Sequence, residues 1–106
     1  MKLYYYSAPL RDPDPGKQED NLQRAIFAMN EWKCSFSRQG IALWAPWIAL
    51  ALVEASEERV APVIQVALTA SDGIVLDMNG RSEPTAGMVA ERDEMIRQGK
   101  PVRVLP

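Results

Sequence analysis

Residues 3–9 read Leu-Tyr-Tyr-Tyr-Ser-Ala-Pro (LYYYSAP). A strand with one wet face alternates apolar and polar side chains. This one carries tyrosine on both faces before it stops at small residues and a proline. Strands that are apolar throughout belong to parallel sheets, whose two faces are both covered by helices. Leu3 to Tyr6 is therefore expected to be a strand buried on both sides. Ser7-Ala8-Pro9 is then the turn that leaves it.

The chain beyond fits such a sheet. Arg11 to Gly16 holds two prolines and a glycine and reads as a loop. Leu22, Ala25, Ile26, Met29, Trp32 and Phe36 recur at steps of three and four, which predicts an amphipathic helix over 17–38, ended by Gly40. Ile41 to Trp44 reads as a short strand and Trp47 to Val53 as a short helix. Ser56 with Glu57 and Glu58 opens a further helix, and Pro62 is expected to bend or delay it. Val63, Val66, Ala67 and Ala70 mark its apolar stripe. Ile74 to Leu76 is a buried strand, and Asp77 to Glu83 is a polar loop. Pro84 or Thr85 begins a helix that lasts to Gln98, with Gly99 closing it. Val102 to Leu105 is the last strand. The order β-α-β-α-α-β-α-β predicts one α/β domain over 1–106: a compact, Rossmann-like three-layer fold with a four-stranded parallel sheet in order 2-1-3-4.

Composition narrows the function. The chain has 106 residues, a net charge of −2, one cysteine and no histidine. The charge argues against a nucleic-acid polymer as partner. No apolar run approaches the ~20 residues of a membrane span, and no secretory leader is evident, so a cytoplasmic protein is expected. A core this small makes a homo-oligomer attractive. Without histidine, Ser-His and Cys-His catalysis and the usual zinc sites are excluded. Chemistry would fall to carboxylates, Tyr, Lys, hydroxyls or Cys34.

Open α/β sheets bind ligands beyond the carboxyl ends of their strands. That rule selects Ser7, Pro9, Leu10 and Arg11 after the first strand, and Trp44, Pro46 and Trp47 after the second. After the third it selects the run from Asp77 to Gly87, including Asn79 and Thr85.

Taken together, these segments resemble the nucleoside 2-deoxyribosyltransferase-like superfamily, which includes small phage and bacterial proteins of unassigned role. Tyr5-Tyr6-Ser7-Ala8-Pro9 is similar to the family's Tyr-x-Ala-Gly-Pro, with Ser7 for Ala and Ala8 for Gly. Pro46 follows the second strand and Asp72 precedes the third, as in the family. Thr85-Ala86-Gly87-Met88-Val89-Ala90-Glu91 fits its Ser/Thr-x-Gly motif with Glu four residues on, and Gly99-Lys100-Pro101-Val102 fits its helix end. The resemblance implies a Glu91 nucleophile that attacks the anomeric carbon of a nucleoside or nucleotide, with Tyr5 and Asp72 assisting. The small-molecule substrate would lie against the segments above and Met88, with no metal or other cofactor. Such cleavage has an oxocarbenium-like transition state that a carboxylate stabilises and can trap. Gly87, one helical turn before Glu91, would let a ligand approach the backbone.

Each of these residues also has a plainer reading. Glu91 fits a solvated helix position, Asp72 a turn beside Gly73, and Trp44 and Trp47 core packing. Arg11 fits a solvated loop as well as a phosphate contact. Arg92 is either a snorkelling side chain or the ion-pair partner of an acid in the pocket or across a dimer. Cys34 has no activating neighbour in sequence and reads as a structural thiol. Besides the enzyme, a nucleotide-binding module without turnover and an interaction protein with a vestigial site both remain open.

Overall fold

The computed structural model describes residues 1–106 and contains eight elements. They are β1 (Lys2–Ser7), α1 (Pro15–Arg38), β2 (Ile41–Trp44), α2 (Pro46–Leu52), α3 (Glu57–Ala70), β3 (Gly73–Asp77), α4 (Ala86–Arg97) and β4 (Val102–Leu105). The four strands form one all-parallel sheet in order β2-β1-β3-β4. Chain direction along the sheet reverses once. The β1-to-β2 crossover runs one way, and the β2-to-β3 and β3-to-β4 crossovers run the other. With right-handed connections, α1 therefore covers one face and α2, α3 and α4 the other.

Register assigns the side chains to those faces. Tyr4 pairs with Gly73, Tyr5 with Ile74, Tyr6 with Val75 and Ser7 with Leu76. Tyr4 and Tyr6 thus share a face with Val75 and Asp77 beneath α1, while Tyr5 and Ser7 share the opposite face with Ile74 and Leu76. Arg103, paired with Val75 and so on the α1 face, sets its guanidinium 5.8 Å from the Phe36 ring of α1. All three tyrosines are buried, and β3 is buried from end to end. The tyrosine run is core on both sides.

Local chemistry sets the helix ends, and α1 and α3 depart from the sequence expectation. α1 begins at Pro15, inside the segment expected to be loop, because Asp14 caps it by accepting the Gly16 N–H at 2.8 Å and Pro15 supplies a preset φ at the first position. α3 runs through Pro62 without stopping. Ser56 precedes it but makes no side-chain cap, so the acids of the first turn, Glu57 and Glu58, face the helix dipole alone. Thr85 does cap α4, accepting the Met88 N–H at 3.3 Å, and Gly99 follows its end at φ +72.

Gly73 is required by a neighbour rather than by its own backbone. A Cβ there would lie 2.6 and 2.7 Å from two Tyr4 ring atoms and 3.0 Å from the Pro101 carbonyl oxygen. The missing side chain lets the Tyr4 ring lie flat across β3. Gly73→Ala is expected to destabilise the fold by about 2–3 kcal/mol in urea titration. Tyr4→Leu in the same chain should recover part of that loss, because the ring is the main obstacle.

Candidate active site

The sheet brings three of the sequence-selected residues together across 86 positions of chain. Glu91, in the second turn of α4, accepts hydrogen bonds on both carboxylate oxygens. The Tyr5 hydroxyl donates a short bond to Oε2, and the Ser7 hydroxyl donates to Oε1 at 2.7 Å. Tyr5 and Ser7 have no exposed surface, whereas Glu91 is half-buried. Two donors on separate oxygens fix the plane of the carboxylate while leaving a lone pair on each.

The electrostatics follow from this burial. Desolvation pushes the Glu91 carboxyl above the usual carboxylate range, and the hydrogen bonds from Tyr5 and then Ser7 oppose the rise. Burial pushes the Tyr5 phenol far above its ordinary value, and the neighbouring Glu91 charge and hydrogen bond raise it further. Tyr5 therefore stays protonated and serves as a fixed donor, not as a base. Gly87 lies one turn before Glu91, and a Cβ built there meets nothing within 4 Å, so the approach over α4 is open.

Asp72 is not brought to this cluster. It precedes β3 and sits at the amino end of the sheet, where its Oδ2 accepts the Leu3 N–H at 2.8 Å and its own N–H donates to the Leu3 carbonyl at 2.7 Å. Ser7 lies beside Leu76, four residues along β3 from Asp72 and so roughly 13 Å of strand away. Asp72 closes the β1–β3 ladder.

The other selected residues divide between core, cap and cleft. Trp44 and Trp47 spend their indole N–H groups inside the protein, on Ser71 Oγ at 2.8 Å and on the Tyr6 carbonyl at 2.7 Å. Pro46 is the first residue of α2, Pro9 and Met88 are buried, and Thr85 is the α4 cap. Leu10, Arg11 and Trp47 line a cleft of about 300 Å³ with Gln18 and Glu54; Glu91 is not among its walls. Arg11 makes an exposed ion pair with Glu57 at 3.6 Å, which leaves it available to a stronger anion. Arg92 pairs with its neighbour Asp93 at 3.1 Å and not with an acid of the site, and Cys34 is exposed on α1.

A second tyrosine–carboxylate pair lies on the α1 face. Tyr6 donates to Asp77 Oδ2 at 2.6 Å, and the Asn79 N–H donates to Oδ1 at 3.1 Å. Asp77 is 3% exposed, and Asn79 turns the chain at φ +50 with its side-chain nitrogen buried and unpartnered. Burial, then the bond and charge of Asp77, push the Tyr6 phenol far up, so it too stays a donor. Sequence reading took Tyr6 as plain core and Asp77 as ligand-facing; the geometry joins them. Tyr6→Phe would leave a buried carboxylate short of a donor and is expected to cost about 1–3 kcal/mol in chemical denaturation.

No protein-family model, curated protein or solved structure matches this chain.

Proposed function

We propose that the protein cleaves the N-glycosidic bond of a nucleoside or nucleotide, or transfers its sugar to another base, with Glu91 as nucleophile. A Glu91 oxygen bonds the anomeric carbon as the C–N bond breaks, and the electron pair leaves with the base, which takes a proton from solvent. Water or a second base then displaces the carboxylate from the sugar ester. The observation that carries this reading is the Glu91 carboxylate held between two buried hydroxyls at the carboxyl end of β1. The residues that Glu91 needs for orientation are Tyr5 and Ser7; Asp72 has no part in it. Leu10 and Arg11 follow Ser7 in the same segment and line the cleft offered to the rest of the substrate, Arg11 facing a phosphate where one is present.

A second reading is favoured by the same two bonds. Both Glu91 oxygens are engaged, and each donor withdraws charge from the nucleophile, which suits a site that holds a nucleotide-like ligand without turnover. One experiment separates the two. The protein is incubated with nucleosides and 5′-monophosphates, free base is measured by chromatography, and melting temperature is followed in parallel. Base release that disappears in Glu91→Ala supports the enzyme. A rise in melting temperature without release supports the binding module. Neither effect with any nucleotide would sink both.

A further inference from the structure

The outer face of α1 is turned to solvent in the single chain. The helix spans Pro15–Arg38, and Phe27, at its midpoint, is 67% exposed. With 100° per residue, the exposed residues along the Phe27 direction are Asp20, Gln23, Arg24, Asn30, Glu31 and Cys34, with Gly16 and Arg38 at the two ends of the helix. We infer that two copies of the chain associate through α1, antiparallel, about a two-fold axis that passes by Phe27.

That axis turns the sequence Gln23-Arg24-x-x-Phe27-x-x-Asn30-Glu31 into a set of matched pairs. A residue below Phe27 meets the residue equally far above it on the second copy, on the same side of the seam. Arg24 and Glu31 both lie to one side of the Phe27 direction at nearly equal heights, so Arg24 meets Glu31 of the second copy. Gln23 and Asn30 lie to the other side and meet as two amides. Each pair occurs twice, and together they bracket the Phe27 contact. A parallel, in-register pair would instead set Arg24 beside Gln23 and Glu31 beside Asn30, leaving both charges without an opposite partner. Beside Phe27 a shallow groove, bordered by Gln23, Ile26 and Asn30, gives the second copy's ring a place to enter. Placing the axis at the midpoint of the helix also gives the longest overlap of the two helices, with opposed dipoles.

Cysteine cross-linking tests the geometry. The native Cys34 is seven residues from Phe27, so the axis holds the two Cys34 positions about 21 Å apart. Oxidation of the native protein should leave it unlinked. In a chain carrying Cys34→Ser, Phe27→Cys places the new thiols against each other and should give a disulfide-linked dimer in high yield. Sedimentation should show a concentration-dependent dimer that Arg24→Glu weakens at least tenfold and that the added exchange Glu31→Arg restores. Circular dichroism checks that these exposed substitutions keep the fold. An unlinked Phe27→Cys protein, linkage of the native chain through Cys34, or a charge exchange that fails to restore association would each overturn the α1 dimer.

Discussion

Glu91→Gln will keep the fold and lose base release by about a thousandfold or more in kcat/KM, the scale expected when a covalent nucleophile is removed. The amide keeps the shape of the carboxylate and can still accept from Tyr5, but it cannot form the sugar ester. The same substitution has a separate effect on stability, with a definite pH sign. Burial raises the Glu91 carboxyl above its ordinary value of 4.5, so the folded state prefers the protonated form. The contribution of that group to stability is complete below the ordinary value and is lost as pH rises through the raised one. Near pH 4 wild type and Glu91→Gln should melt together. Towards neutral pH the variant should melt higher, because it no longer buries a charge. Melting curves across that range decide the matter. A variant that melts lower at neutral pH would mean that the Tyr5–Glu91–Ser7 contact is a structural strap whose ionised form stabilises the fold. Full base release by Glu91→Gln would remove Glu91 from the chemistry altogether.

The difference between the two outcomes lies in why this carboxylate is where it is. A carboxylate put in place only for stability gains little from partial burial beside two neutral hydroxyls, since desolvation offsets the hydrogen bonds. Glu94, three residues further along α4, shows the other regime. Its side chain is only 18% exposed, yet it is bonded by Arg97, Gln65 and Gln98 and held well below the usual carboxylate range, first of all by Arg97. Two glutamates on one helix are thus driven in opposite directions by their surroundings. Only the one at the carboxyl end of β1 is driven towards the poorly solvated, reactive condition.

Much of this architecture was legible in the sequence. Parallel pairing followed from a strand apolar on both faces and from helices between strands, and the approach of Tyr5 to Glu91 was implied by the family resemblance. What could not be read was contact that depends on register. Tyr6 reaches Asp77 because β1 and β3 are neighbours and Tyr6 stands beside Val75, two residues before Asp77 on the same face. No spacing in the chain encodes that. Ser7 was selected as a ligand contact, yet its hydroxyl turns inward to Glu91, a choice made by the position of α4 over β1. The case of Asp72 is different. A residue that precedes a strand stands at its amino end, so the carboxyl-end rule already separates it from the site, whatever motif it matches. Asp14 was hidden for a local reason: Pro15 and Gly16 look like loop residues, but a proline behind an acidic cap is a favourable helix start.

Tyr5→Phe tests whether the buried phenol positions the nucleophile or merely fills space. The ring has no exposed surface and Phe retains its packing, so any fall in melting temperature should come from the lost bond to Glu91 alone. The lost group is the stronger of the two donors that pull the Glu91 carboxyl back down, since the Tyr5 bond opposes desolvation more than the Ser7 bond does. Removing it lets desolvation act with less opposition, so the acid limb of the kcat/KM profile, set by ionisation of the nucleophile, should move to higher pH. Ser7→Ala should move it the same way and less far. On the plateau, where Glu91 is ionised in every variant, Tyr5→Phe should still cost roughly 10- to 100-fold, the value of one hydrogen bond to a charged oxygen. An unmoved acid limb with no plateau loss would leave Tyr5 as packing alone. A limb that moves to lower pH would reverse the sign of the contact and place the proton on Glu91 rather than on the phenol.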